Sequence, residues 1–441
     1  MQKKNKTKKI MLKFSKFYRT FLLAQKWNSR TFRSVTSDSA NSSPLINPLL
    51  RELIKEIDFF GPLTVERYMK LALTHPVHGF YMKQDVFGSK GHFITAPEIS
   101  QIFGELIAVW IVYMWQNYSG QKPLSIIELG PGRGTLSLDM ARSISQLGTQ
   151  VKNGCEFHLV EISSYLRSIQ YKNLCGKELG VDFSSKSTEK LESKTIYNQS
   201  ISWHSSVDEI LTISNSDRFL VFIANEFFDA FPIHKLIKIS SQEWRELLID
   251  FDSEKNQLKW IKSRDDTPIS KLIAAQKNFK QFKTDDHLEF SPQTLTTIES
   301  IIDQINQNQS GCLLICDYGY YDDCVDRDTF RAFRNHVQCD PLKDPGFADL
   351  TADVDFKMIK EHLDRKAKCF GPINQRDFLL AMGLQLRLQM LLQSLDRMDR
   401  QKQKDLISSA KMLLEDMGNR FKFMSIFGLN QNESFKPIGF D

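Results

Sequence analysis

The chain has no CxxC pair: its seven cysteines, Cys155, Cys175, Cys312, Cys316, Cys324, Cys339 and Cys369, are odd in number and scattered. Such a set excludes a disulfide framework and implies a reducing compartment. The nine histidines are equally dispersed, with no HExxH and no Cys/His cluster at zinc spacing, so no metal site is expected. Long apolar runs are missing as well. The longest, Leu106 to Trp115, follows directly on Gly104 and Glu105 and falls well short of the roughly 20 residues that cross a bilayer. It reads as a buried helix, and integral membrane association is not expected.

Beyond its first 40 residues the chain also lacks a basic excess. Residues 1–40 hold eleven Lys and Arg and one acid, Asp38, which leaves 47 basic against 52 acidic residues in the remainder. Phosphate binding needs a concentrated basic surface, so this distribution argues against nucleic acid as a partner. The basic segment places Ile10, Phe14, Phe17, Tyr18 and Phe21 on one helical face and Lys9, Lys13, Lys16 and Thr20 elsewhere, ahead of a Ser/Thr-rich stretch. It reads as a mitochondrial transit peptide over residues 1–40, to be set aside from the fold.

What remains is 41% hydrophobic in overall composition and long enough for a sizeable core. Residues 41–121 pattern mainly as helix, with Leu49, Leu50, Leu53, Ile54 and Ile57 at helix spacing and a glycine-containing loop from His75 to Pro97. From 122 to 326, short apolar runs (LSIIEL, EFHLVE, ISWH, RFLVFIANE, CLLICDYG) alternate with helix-length segments, as in a parallel sheet covered on both faces. Lys186 to Ser200 reads as a surface loop, and Ile233–Ile239 with Trp244–Phe251 as an inserted antiparallel hairpin. After Gly319 the sequence reads as an acidic loop through Asp355 and then as helix from Phe378 to about Phe427, with residues 327–441 as a C-terminal loop and helical segment packing on the core. The expected architecture is a doubly wound α/β core with a mostly helical cap from the N- and C-terminal segments. Nothing in the patterning fixes an oligomeric state.

Within LSIIELGPGRGTLSLDMA, a strand, a glycine turn and a helix follow in immediate succession. Gly130 and Gly132 permit backbone angles and a close approach that a Cβ would block, and Gly134 lets the helix start pack closely. A nicotinamide fingerprint wants its third glycine at position 135, which is Thr135. Glu128, two positions before the turn, instead suits the ammonium end of S-adenosylmethionine. Glu161, at the end of the next strand, suits the ribose hydroxyls; it lies 31 residues past Gly130 against the usual figure of about 20, consistent with a lengthened connection. Trp203 and His204 are candidates for an adenine pocket.

Several blocks together resemble one family, the MidA-like mitochondrial complex I assembly factors, which are protein arginine methyltransferases. They are RYMKLALTHPVHGFYM, DVFGSKGHFITAPEISQIFGE, IELGPGRGTL, NEFFDAFPIHK, CDYGYY, DTFRAFRNH, DPLKDPGFADLTADVDF and FGPINQRDFLLAMGL, in the family's order over residues 67–384. The resemblance implies a Rossmann-like class I methyltransferase core, S-adenosyl-L-methionine as cofactor, and symmetric dimethylation of an arginine on a complex I subunit in the matrix. The DTFRAFRNHVQCDPL stretch departs mildly from the family's pattern.

Methyl transfer asks mainly for positioning and electrostatic preorganisation. The fourth strand ends in Asn225, Glu226, Phe227, Phe228 and Asp229. Glu226 and Asp229, with Asn225, are the candidates for holding a substrate guanidinium by charge-assisted pairing, and Phe227 and Phe228 for excluding water. Either acid capping the following helix is the plainer alternative. Thr95, Pro97 and Glu98 are candidates for a substrate-side lid, or for simple helix capping. Asp349, Asp353 and Asp355 are candidates for attracting a basic peptide, with a solvated acidic loop the plainer expectation. Methylation of another acceptor, or a non-catalytic assembly chaperone with a retained cofactor pocket, stay open beside the arginine reading.

Overall fold

The computed structural model describes residues 47–83, 94–120, 122–147, 151, 154–178, 191–213, 217–241, 243–276, 279, 281–321, 328–395, 399–430 and 435–440. The basic segment 1–40 lies outside the described residues, as do Gly88 and Gly91 of the loop between His75 and Pro97.

Helix Pro48–Phe60 begins behind Asn47, whose side chain accepts the Leu50 N–H, and buries Leu49, Leu53 and Ile57. A short strand, β1 (Leu63–Thr64), leads into helix Val65–Thr74, capped by the Thr64 hydroxyl. Helix Gln101–Tyr118 is apolar on every side from Ile102 to Trp115 apart from Glu105, and all its residues from Ile102 to Val112 are buried, as that composition requires. Then follow β2 (Leu124–Leu129), β3 (Cys155–Val160), β4 (Glu192–Lys194), β5 (Ser200–His204) and β6 (Phe219–Asn225). An insertion supplies β7 (His234–Lys238), β8 (Trp244–Asp252), β9 (Gln257–Lys262) and β10 (His287–Phe290) before β11 (Gly311–Tyr320). The rest contributes β12 (Arg331–Arg334), β13 (Val337–Cys339), β14 (Asp349–Thr351), β15 (Val354–Asp355), β16 (Lys368–Asn374) and β17 (Phe421–Phe427).

The five apolar runs form the heart of one sheet, ordered β5-β3-β2-β6-β11 and parallel throughout. Every residue of β2 and β6 is buried, because helices cover both faces. On one side pack Gln101–Tyr118, Thr135–Ser145 and Gln375–Ala381, and on the other Pro292–Asn308 and Phe356–His362. The winding starts at β2, runs outward through β3 to β5, and returns to β6. The switch point therefore lies between β2 and β6, where doubly wound sheets bind ligands.

Three expectations need correction. Glu192–Lys194 is not loop but an edge strand, antiparallel to β5. Residues 328–355 are not an irregular loop: β12, β13 and β14 make a small antiparallel sheet. Phe421–Phe427 is not the end of a helical stretch but β17, antiparallel to β11 and to β16. Its run FKFMSIF alternates poorly because both faces are covered, Phe423 by Phe378 at 4.1 Å on one side and Met424 within the opposite core on the other. The cap over the switch point is partly sheet as well. Pairings β1-β8-β7-β10, with β9 on β8, build a second sheet that shares a core with helices Pro48–Phe60 and Val65–Thr74 and with Phe330, Ala332 and Leu350.

Candidate active site

The turn after β2 carries three consecutive departures into left-handed backbone: φ is +63° at Gly130, +55° at Gly132 and +76° at Gly134. A Cβ on Gly130 would stand 2.7 Å from the Phe227 ring, and one on Gly134 3.0 Å from Leu174. Gly130 therefore has to be glycine on two grounds, conformation and space. Register places Leu129 opposite Ala224, so this turn and the Asn225–Asp229 turn stand side by side at the switch point. Both open on one cavity of about 680 Å³.

Glu128, Gly130, Gly132, Glu161, Asn225, Glu226, Asp229, Thr95, Pro97 and Glu98 all line this cavity, so the structure brings the sequence candidates into one place. Gly134 is not on its wall; it ends the turn at the start of helix Thr135–Ser145. Glu128 is 3% exposed and accepts the Ser137 hydroxyl. Burial pushes its carboxyl up to about 8, an effect the Ser137 bond only partly offsets. Glu161 accepts the Ser163 N–H at 2.8 Å and the Gln170 amide at 3.1 Å, and burial raises it to about 7. A buried acid so raised gains most from a cation or from hydroxyl donors, which is the chemistry that S-adenosylmethionine offers at its ammonium and ribose ends. The residues present fit that group.

Trp203 and His204 do not line the cavity. Trp203 is buried with its indole N–H on Gln170 at 3.0 Å, and His204 lies 3.2 Å from His158. The wall beyond Glu161 is made instead by Ser205, Ser206, Val207 and Asp208.

At the end of β6, neither Glu226 nor Asp229 caps the following turn. Asp317, on the neighbouring strand β11, accepts the N–H groups of Phe227, Phe228 and Asp229 at 3.1, 3.0 and 3.3 Å. Glu226, at φ +50°, accepts the Ala96 N–H at 3.0 Å and the Asn225 amide at 3.3 Å. Asp229 accepts the Tyr318 hydroxyl through one oxygen, while its other oxygen, like Asn225 Oδ1 and Thr351 Oγ1, is buried with no hydrogen-bond partner among the described residues. Phe227 lies on the cavity wall and packs edge-on against Phe228 and Phe231 at 5.2 and 4.9 Å.

The expected solvated acidic loop is a correction too. Asp349 is 5% exposed on β14, accepts the Tyr81 hydroxyl at 2.6 Å and lines the cavity. Asp353 pairs with Arg331, and Asp355 caps helix Phe356–His362. Burial raises Glu226 to about 8 and Asp349 to about 7, each increased further by the Asp229 charge. Asp229 is itself displaced upward by burial.

Thr95 and Pro97 begin a four-residue helix, Ala96–Ile99. Glu98 does not serve as its cap: its carboxylate accepts the Thr135 hydroxyl and Arg133 at 3.4 Å. The segment thus spans from the glycine turn, through Glu98, to the β6 acid, through Ala96. Tyr81, Gln170, Asp317, Tyr318 and Thr351 join the site only in the structure. Tyr318 and Asp317 had a signal, since CLLICDYG is a parallel strand ending in polar residues beside β6. Gln170 had none, because a glutamine in mid-helix reads as surface.

Among the described residues no helix is long and apolar enough to cross a membrane, and no group of three His, Cys, Asp or Glu has metal-binding geometry.

Comparison with known proteins bears on this site directly. A family model described as S-adenosyl-L-methionine-dependent methyltransferase matches residues 106–373. The chain is 39% identical to the Xenopus tropicalis protein named protein arginine methyltransferase NDUFAF7, mitochondrial, over 93% of this chain and 91% of that one. It is 36% identical to the Homo sapiens protein of the same name, over 91% and 87%. Among solved structures, a Burkholderia thailandensis protein bound to S-adenosyl-homocysteine superposes with a TM-score of 0.70 at 20% identity, over 90% of this chain and 97% of that one. That last likeness supports the fold.

Proposed function

Because the chain belongs to the S-adenosyl-L-methionine-dependent methyltransferase family, we propose that it methylates an arginine side chain of a protein, with the acceptor a complex I subunit in the mitochondrial matrix and symmetric dimethylarginine the product. The observation that carries the acceptor class is the cavity itself. It runs without interruption from the glycine turn to Glu226, Asp229 and Asp349, three carboxyls whose ionisation is opposed by burial, with the Asp229 charge adding to the shift of the other two. A guanidinium is always charged and pairs in plane with carboxylates, so it relieves this arrangement in a way that a neutral acceptor does not. The relatives' names carry both "arginine" and "mitochondrial", and the basic segment 1–40 agrees with the second. The complex I subunit and the symmetric product rest on the sequence resemblance.

Glu128 is assigned to the cofactor's ammonium, the backbone at Gly130 and Gly132 to close approach, and Glu161 to the ribose. S-adenosylmethionine supplies the electrophilic methyl group, so the protein's work is orientation. Asp229 and Asp349 hold the guanidinium, with Asn225 Oδ1 as a further acceptor. Glu226 draws positive charge away from the reacting nitrogen, and Phe227 keeps water from it. The residues at Thr95, Pro97 and Glu98 form the wall joining the two halves.

The test is to incubate the protein with labelled S-adenosylmethionine and extract of mitochondria lacking it, and to map the modified residue. Label on arginine supports the proposal; label on lysine or on a small molecule sinks the acceptor assignment. Cofactor binding with no transfer, together with rescue of complex I assembly by a Gly132→Val variant, would favour the chaperone alternative. Glu226→Gln is expected to lower kcat roughly tenfold or more, the scale of a charge-assisted hydrogen bond, with arginine-peptide affinity less affected. Near-normal transfer in that variant would remove its assigned role.

A pH dependence follows with a definite sign. The folded-state values of Glu226 and Asp349 lie above their ordinary ones, so their contribution to stability is complete at low pH and is lost as pH rises through about 7 and about 8. Arrival of a guanidinium favours the ionised forms. Peptide KM is therefore expected to fall as pH rises through that window, with proton release on binding measurable by calorimetry in buffers of different ionisation enthalpy. A pH-independent KM would contradict the charge assignment.

A further inference from the structure

Gln170 lies within helix Ser164–Cys175 and is fully buried. Its Nε2 donates to the Gly132 carbonyl at 2.7 Å and to Glu161 Oε2 at 3.1 Å, and its Oε1 accepts the Trp203 indole N–H at 3.0 Å. One side chain thus ties together the glycine turn, the acid at the end of β3 and a core tryptophan on β5. The amide can face only one way. Indole is a donor alone, so a flipped amide would set N–H against N–H at Trp203 and oxygen against oxygen at both Gly132 and Glu161.

The consequence falls on Glu161. The Ser163 N–H holds its Oε1 at 2.8 Å, and Gln170 holds its Oε2, so the carboxylate is prevented from turning. These two hydrogen bonds do not exhaust the carboxylate, which has about four acceptor positions. We propose that Gln170 is a positioning residue that sets the cofactor's ribose preference, by fixing the Glu161 carboxylate relative to the glycine turn so that it can receive both ribose hydroxyls. This rests on the assignment of Glu161 to the ribose and is independent of the acceptor. A carboxylate already fixed spends no ordering energy when the ligand arrives. A ligand lacking one hydroxyl leaves a buried acceptor unpaired, which is the more costly outcome.

The experiment is calorimetric titration of the full chain with S-adenosyl-homocysteine and with its 2′-deoxyribose analogue. The unmodified protein should hold the ribose form roughly tenfold or more tightly. Gln170→Met, which cannot donate, should narrow that ratio to within about threefold. Gln170→Glu keeps the shape and insures against a variant that fails to fold. It sets a second carboxylate against Glu161, so its ribose preference should decline as pH rises from about 6 to about 8, where two adjacent carboxyls cannot both ionise freely.

Equal weakening of both ligands in Gln170→Met and Gln170→Glu, with the ratio kept, would show that the amide serves packing only and would overturn the proposal. So would an unmodified protein indifferent to the hydroxyl, or a Glu161→Ala variant that still prefers ribose. Absence of arginine methylation alongside the expected ratios would remove the acceptor assignment and leave this one standing.

Discussion

Gly130→Val is expected to impair productive cofactor binding severely, lowering methyl transfer by about 30- to 10⁴-fold. Two costs combine at this residue. A β-branched side chain at φ +63° carries roughly 1–3 kcal/mol of backbone strain. Its Cβ, at 2.7 Å from the Phe227 ring, adds overpacking of about 1–3 kcal/mol. The turn or Phe227 has to move, and each lines the cavity. At about 1.4 kcal/mol per tenfold, the sum accounts for the expected range. Gly120→Ala is the control: φ is +60° there, yet a Cβ would meet nothing within 4 Å. It should show strain alone, a loss of about 1 kcal/mol in stability, with transfer unchanged. The measurement is S-adenosyl-homocysteine affinity beside initial rate, and a Gly130→Val protein that binds normally would contradict the account.

Glu105→Gln carries the largest expected effect on stability, about 3–5 kcal/mol. Glu105 and Arg387 are 1% and 2% exposed, joined at 2.6 and 3.1 Å, and Arg142 reaches the same carboxylate at 3.2 Å. The carboxylate joins helix Gln101–Tyr118 to helices Thr135–Ser145 and Leu384–Ser394. Replacing it leaves Arg387 buried without the carboxylate that pairs with it here, whereas Arg142 keeps Asp139 at 3.0 Å. Paired replacement, Glu105→Leu with Arg387→Met, should recover most of the loss, since two apolar groups in place of a buried ion pair are often neutral or better. Denaturant titration decides it: a single variant within about 1 kcal/mol of the parent would mean that Arg387 finds adequate compensation elsewhere.

The central sheet was legible because parallel strands buried on both faces are short unbroken apolar runs, and LSIIEL, EFHLVE, ISWH, RFLVFIANE and CLLICDYG each became one. The glycine turn was legible because left-handed backbone leaves a residue-type signature. Strand β17 was not. An antiparallel strand covered on both sides loses its alternation, and FKFMSIF follows directly on a helical region. The small sheet at 331–351 escaped for another reason: its strands, RAFR, VQC and DLT, are three or four residues long, too short to show a period of two.

Sequence alone determined the strand-turn-helix at Glu128–Gly134, the acid at Glu161, and the presence of acids after β6, because these depend on local backbone demands and on order along the chain. Which acids serve the cavity was decided only in three dimensions. Asp317 took the backbone-capping role from Glu226 and Asp229, and Asp349 moved from an expected solvated loop to a buried wall. Gln170 became visible only where a helix, a turn and two strand ends converge. The physical reason is common to all three. Burial and hydrogen-bond partnership are properties of neighbours distant in the chain, and a residue's chemistry in a cavity is set by those neighbours rather than by its own spacing.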